Sequence, residues 1–416
     1  MNVEIQKRGI LLGLLFYAIE AIQSILLIPL MKDKLGETSA LSWVALVSAG
    51  GLVSFAYSAY YQSLVRELAK FFDYNDTSIP ENFNNVKSRI SIWGNLVLLV
   101  SFGIFVTFYF VKWGVDQKTL ILIFFYFSSL FFKLHTFNIF IFLNAKKHVG
   151  FDKSLLFLGS FISLLFSLFF LFTFKRVEWL GLATLISSIL VYVLARRKLN
   201  KILHGLQELK GANIQLDFSE KFLILLLNLG GYLKLNTDVV ISSYLLSDSD
   251  SLQYAFWVRI FYMLVSLIGL WSQVRFPFWS IELNFLQKHL REIKFVVFFL
   301  FAIELLILAA YFLSNNLNIL YLKDVFGIDF RTLAFIFISI FFAGATYVLD
   351  QLLMSRKAYN YLWFAILISF LAPFMSFLFG YMCGGANFIL GFVVAHFILL
   401  VIDVFRIKKL KESYLV

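Results

Sequence analysis

Long apolar runs alternate with short polar breaks along the whole chain. Twelve such runs fall near 9–31, 39–61, 90–111, 119–143, 154–174, 178–195, 219–246, 252–273, 295–314, 332–354, 359–379 and 385–405. Each is long enough to cross roughly 30 Å of hydrocarbon as a helix rising about 1.5 Å per residue. The pattern predicts an all-α polytopic membrane protein of about twelve transmembrane helices. The sixth run is short and follows the fifth after only KRVE. The breaks that follow odd-numbered runs are short, the longest being NNLNILYLKDVFGIDFR, at about 315–331.

Polar residues inside the runs keep helical spacing. The first run carries Gly13, Tyr17, Glu20 and Ser24, and the second Gly51, Ser54, Ser58 and Gln62. The fourth carries Ser129, Lys133 and Thr136, with His135 and Asn138 nearby. The seventh gives Gly231, Lys234, Asp238 and Ser242; the eighth gives Arg259, Tyr262, Ser266, Gly269 and Gln273. Small residues and hydroxyls at such positions also serve helix packing. Between runs six and seven, RRKLNKILHGLQELKG sets Leu199, Ile202, Leu203, Leu206 and Leu209 on one helical face. That spacing predicts an amphipathic helix in the membrane interface. It divides the chain into an N-terminal lobe of six helices (1–200), a linker (201–218) and a C-terminal lobe of six (219–416).

Composition supports the membrane reading. Of 416 residues, 61% are hydrophobic and 15% charged, whereas a soluble domain is about 45–50% apolar and about 25% charged. Mean hydropathy is +0.84. The single cysteine, Cys383, excludes a disulfide framework, and the five histidines show no metal-ligand spacing. No cofactor or metal is expected. No A-x-A-like cleavage site follows the first run, which is too long for a signal h-region and is expected to remain as a span.

The net charge of +11 raises nucleic acid as a partner, but the basic residues argue otherwise. The two tails and the loops on their side hold 25 Lys and Arg, and the opposite loops hold 8. This positive-inside bias predicts both termini in the cytoplasm of a multi-pass plasma-membrane protein. Three cations lie deep within the runs: Lys133, Lys234 and Arg259. Each costs roughly 2.5–3.5 kcal/mol at the centre of a membrane helix, and such charges are kept mostly where they face a bundle interior or a wet cavity. A lumen carrying cations suits an anionic cargo.

Acidic residues modify that picture. Lys234 and Asp238 stand four apart on one face, so an internal ion pair and a cargo-facing role are both open. Glu20 and Glu304, in the middle of runs one and nine, are candidates for ion coupling or for neutralising a cation. Asp350 and Asp403, near cytoplasmic helix ends beside Arg356 and Arg406, are expected to snorkel to the interface. Gly230-Gly231 precedes Lys234 and predicts either a break in the helix or a close contact. Trp43, Tyr61, Trp113, Trp179, Tyr321 and Tyr361 sit at run edges, as interfacial belts do.

The chain resembles the Wzx-type polysaccharide flippases of the multidrug/oligosaccharidyl-lipid/polysaccharide exporter superfamily. The resemblance covers its whole length in span count, topology and loop length. It is carried most by LNTDVVISSYLLSDSDSLQYAFWVRIFYML at 235–264, where an Asp in span seven precedes a short turn and a Tyr opening span eight. IPLMKDKLG, FLNAKKH and LLMSRKAYN support it. The resemblance implies two six-helix lobes around a central cavity, rocking in alternating access without covalent chemistry. It implies as cargo an undecaprenyl-diphosphate-linked oligosaccharide, an O-antigen or capsule repeat unit of lipopolysaccharide or polysaccharide biosynthesis. Membrane lipids and polysaccharide assembly proteins are candidate partners. Lys133, Arg259 and Lys234 then become candidate diphosphate ligands. A multidrug exporter of the same superfamily is the main alternative, since Glu20, Asp238 and Glu304 offer a cation site. A polysaccharide polymerase is the other; it is disfavoured by short outside loops and the lack of a nucleophile–base constellation.

Overall fold

A computed structural model describes residues 3–74, 78–114, 116–146, 150–204, 206–210, 218–281, 286–316, 327–355 and 363–413. Among them are twelve long helices: α1 (Val3–Leu35), α2 (Glu37–Tyr74), α3 (Phe83–Trp113), α4 (Gln117–Ala145), α5 (Phe151–Phe174), α6 (Glu178–Leu203), α7 (Phe218–Leu245), α8 (Asp248–Ile281), α9 (Leu286–Asn316), α10 (Phe330–Ser355), α11 (Trp363–Cys383) and α12 (Ile389–Ser413). Over the described residues, each apolar run of the sequence falls mainly on one of them. Over their described residues, ten are long and apolar enough to cross a membrane. The other two, α2 and α7, contain side chains outside the described residues. Hydrocarbon offers backbone groups no partner, so an apolar chain that spans it closes its own hydrogen bonds as helix. The protein is an all-α, multi-pass membrane protein.

The breaks have local causes. Gly36 (φ +84°) ends α1 in a backbone conformation that only glycine adopts freely, and Lys32 Nζ then meets Glu37 Oε1 at 2.9 Å across the turn. Asp116 opens α4 by accepting the Thr119 backbone N–H at 2.7 Å. Its bonds from Thr119, side chain and backbone, hold its carboxyl below the usual carboxylate range.

The helices group into two compact units, one of residues 1–23 and 30–229, the other of 24–29 and 230–416. The division falls inside α7, between Leu229 and Gly230. In the first unit α4 packs against α2, α3 and α6, and α6 also packs against α5. Small residues permit this: a Cβ on Gly181 would stand 3.1 Å from the Leu122 carbonyl oxygen. In the second unit α10 packs on α8, α9 and α12, and α12 packs on α11. The α11–α12 contact is close at Gly391, where a Cβ would lie 2.3 Å from the Ser376 backbone nitrogen. Ser376 Oγ donates to the Phe388 carbonyl at 2.6 Å in the same place. Outward positions such as Leu99, Val111, Phe295, Phe298 and Leu306 are exposed, an apolar surface suited to lipid.

One expectation needs correction. The stretch read as a separate interfacial helix is continuous with α6 up to Leu203, and then turns into a strand, β2 (Gln207–Leu209). This strand pairs in parallel with β1 (Ser78–Pro80), in register Ser78–Gln207 to Pro80–Leu209. Asn84 Nδ2 donates to Glu208 Oε1 at 3.5 Å beside it. Leucine spacing cannot distinguish a new helix from the tail of an old one, and the strand partner is over a hundred residues away. Residues 211–217 lie outside the described residues.

Candidate functional site

In the first unit, the polar stripes of α1 and α4 place charges close together. Glu20 on α1 accepts a hydrogen bond from Ser160 Oγ on α5. Glu20 also acts electrostatically on Lys133 of α4. Both charged residues are exposed although each lies well inside a membrane-spanning helix. An ammonium at that depth is not stable against hydrocarbon and requires water or an anionic group beside it. One turn on, Thr136 bonds back to the Phe132 carbonyl at 2.8 Å, and Asn138 Nδ2 donates to Ser91 Oγ of α3 at 3.2 Å. These two serve packing. His135 packs edge-on to Phe131, ring centroids 4.4 Å apart, and lies 6.4 Å from the ring of Tyr192 on α6.

In the second unit, Asp238 of α7 is buried and heavily bonded. Its Oδ1 accepts the Val239 N–H at 2.8 Å. Its Oδ2 accepts from Tyr254 at 2.9 Å and from Tyr262 at 3.2 Å, both on α8. Arg259, half-buried on α8 between the two tyrosines in sequence, acts on Asp238 electrostatically. The electrostatic partner of Arg259 thus stands on the neighbouring helix. Tyr254 is wedged edge-on against Phe388, 5.0 Å away, which fixes its hydroxyl toward Asp238. The Lys234 side chain lies outside the described residues. Gly230-Gly231 does not interrupt α7, which is helical throughout. Gly230 packs against Ser369, 2.9 Å from where a Cβ would stand, whereas Gly231 has open space.

The remaining charges separate by environment. Glu304 on α9 is fully buried, and neither carboxylate oxygen has a hydrogen-bond partner among the described residues. Asp403 does not snorkel: it is fully buried and accepts from Arg406 Nη1 at 3.2 Å, with Arg406 itself buried. Asp350 is buried too. The correction has a physical basis: these residues face neighbouring helices, which sequence distance from a helix end does not reveal. Among the described residues no His/Cys/Asp/Glu group is arranged to hold a metal. The residue that sequence reasoning missed is Ser160. A lone serine in an apolar run carries no signal until α5 is packed against α1.

No protein-family model matches the sequence, and a search of curated proteins finds no match. Solved structures do share the fold. A point mutant of the MATE transporter VcmN of Vibrio cholerae superposes with a TM-score of 0.65 at 15% identity, covering 98% of either chain. The lipid II flippase MurJ, in an inward closed conformation, gives 0.67 at 13% identity, over 98% of this chain and 88% of its own. An inward-facing multidrug-resistance MATE family transporter of the MOP superfamily gives 0.62 at 12%, over 98% and 95%. The chain thus has the all-α, multi-pass fold of these membrane transporters.

Proposed function

We propose that this protein is a flippase that moves an undecaprenyl-diphosphate-linked oligosaccharide, an O-antigen or capsule repeat unit, across the bacterial plasma membrane. Both termini lie in the cytoplasm, and the two six-helix lobes alternate access to a central cavity without covalent chemistry. The observation that carries this reading is Lys133, an exposed cation in the membrane-spanning part of α4. Exposed at that depth, a basic side chain fits an anionic cargo in a wet cavity. Arg259 and Lys234 are proposed to add charge for the same diphosphate. Glu20 and Asp238 then act as internal counter-ions: each balances a nearby cation in the empty state and yields it to the arriving diphosphate. The fold is compatible with such cargo, since a solved neighbour is described as a lipid II flippase.

A second reading rests on Asp238 and Glu304. A carboxylate held by two tyrosines and a second, buried and unbonded, suit cation exchange, and other neighbours are described as MATE transporters. Under this reading the protein exports cationic drugs. The two are separated by one pair of measurements. Lys133→Ala is expected to abolish movement of labelled lipid-linked oligosaccharide in proteoliposomes, and surface polysaccharide in cells, at normal protein abundance. Movement at the wild-type rate, or drug efflux that depends on Asp238 without oligosaccharide movement, would overturn the flippase reading.

A further inference from the structure

Serine and threonine hydroxyls inside helices commonly bond back to a carbonyl three or four residues earlier. In the first unit Ser101, Ser129, Thr136 and Thr184 do so, reaching Val97, Tyr126, Phe132 and Gly181 at 2.7, 2.6, 2.8 and 2.7 Å. Ser160 does not. Its hydroxyl leaves α5 and donates to Glu20 Oε1 on α1.

Lys133 shows the other side of that bond. Ser129 and Thr136, its neighbours on the same face of α4, are two of the hydroxyls committed to their own backbone. Among the described residues Lys133 makes no hydrogen bond or ion pair, although Glu20 acts on it electrostatically. The carboxylate is near Lys133 but is held elsewhere. An ion pair between two exposed side chains contributes little, whereas a hydroxyl donated to a carboxylate is a charge-assisted bond. The serine therefore holds Glu20 more firmly than the lysine would.

We propose that Ser160 is a positioning residue: by keeping Glu20 on its hydroxyl, it leaves Lys133 Nζ available to an anionic group. All three side chains belong to the first unit. That the anion is a diphosphate of the cargo rests on the flippase reading; the placement of Glu20 does not. Without the hydroxyl, Glu20 closes on Lys133 and competes with the anion for it.

The test uses the full chain in phosphatidylcholine nanodiscs. Lys133 is acetylated with acetic anhydride and read by mass spectrometry against the exposed Lys175 of the same molecules. Inorganic diphosphate is the probe anion. Pairing with a carboxylate slows the acetylation of an amine. Ser160→Ala is expected to slow acetylation of Lys133 about threefold, and to raise the half-protecting diphosphate concentration about threefold, with Lys175 unchanged. Ser160→Thr, which keeps the hydroxyl, restores both values. In a Glu20→Gln background Ser160→Ala changes neither, which a mere packing role for the serine would not give. Acetylation as fast in Ser160→Ala as in the wild type overturns the proposal, and so does equal slowing in the Glu20→Gln background. If Ser160 controls acetylation while diphosphate protects no variant, the positioning role stands and Lys133 is no diphosphate ligand. Protection by diphosphate with acetylation independent of Ser160 does the reverse.

Discussion

Asp238 shows how a single residue is held within the span. A carboxylate in a low-dielectric site is costly unless hydrogen bonds compensate it, and here two tyrosine hydroxyls and a backbone N–H converge on it. A hydrogen bond to a charged group contributes about 1.5–3 kcal/mol, so Tyr254→Phe is expected to lower the thermal midpoint of the detergent-solubilised protein by several degrees. Tyr262→Phe, which removes the longer bond, should cost less. Unchanged midpoints in both variants would show that Asp238 does not depend on these hydroxyls. Lys133 presents the opposite arrangement, an exposed cation with Glu20 nearby, and its substitution should affect transport rather than folding. The charged residues themselves were legible in the sequence, because a Lys or Asp in an apolar run is conspicuous. Their partners were not: Ser160, Tyr254 and the Arg259–Asp238 proximity depend on how helices face one another.

At the scale of elements, glycines distinguish packing from freedom. Gly391 stands where α12 crosses α11, and a methyl group there would meet Ser376 backbone, which cannot turn aside as a side chain can. Gly391→Ala is therefore expected to reduce folded yield sharply. Gly231 has nothing within 4 Å of a Cβ, and Gly231→Ala should fold normally and gain up to about 1 kcal/mol from helix propensity. Comparing monodisperse yield and thermal midpoint checks both; a tolerated Gly391→Ala would refute the close crossing. The contrast also separates the adjacent pair Gly230-Gly231, whose first member packs on Ser369 while the second does not. The sequence offered a break or a close contact at this dipeptide, and Gly230 makes the close contact while α7 stays continuous.

At the scale of the whole molecule, the distribution of basic residues argues for orientation. With 25 Lys and Arg on one set of loops and tails and 8 on the other, both termini are expected in the cytoplasm. Reporter fusions at either end, active only in the cytoplasm, should both be active; an active fusion at one end alone would refute an even number of crossings. The described helices group into two compact units, and the division runs inside α7, between Leu229 and Gly230. The 201–218 linker is tied to the first unit by the β1–β2 pair, three residues on each side.

The sequence by itself determined the class of the long elements. A bilayer admits an apolar chain of this kind only as helices, so length and hydropathy of each run were sufficient. Tertiary structure alone decided which face of each helix is covered, and hence which charges meet. Asp403 and Glu304 became fully buried, while Lys133 stayed exposed. Helical periodicity assigns residues to a common stripe but does not say what lies opposite. In a membrane, lipid and protein are both apolar partners, so hydropathy does not distinguish a face that packs from one that meets lipid.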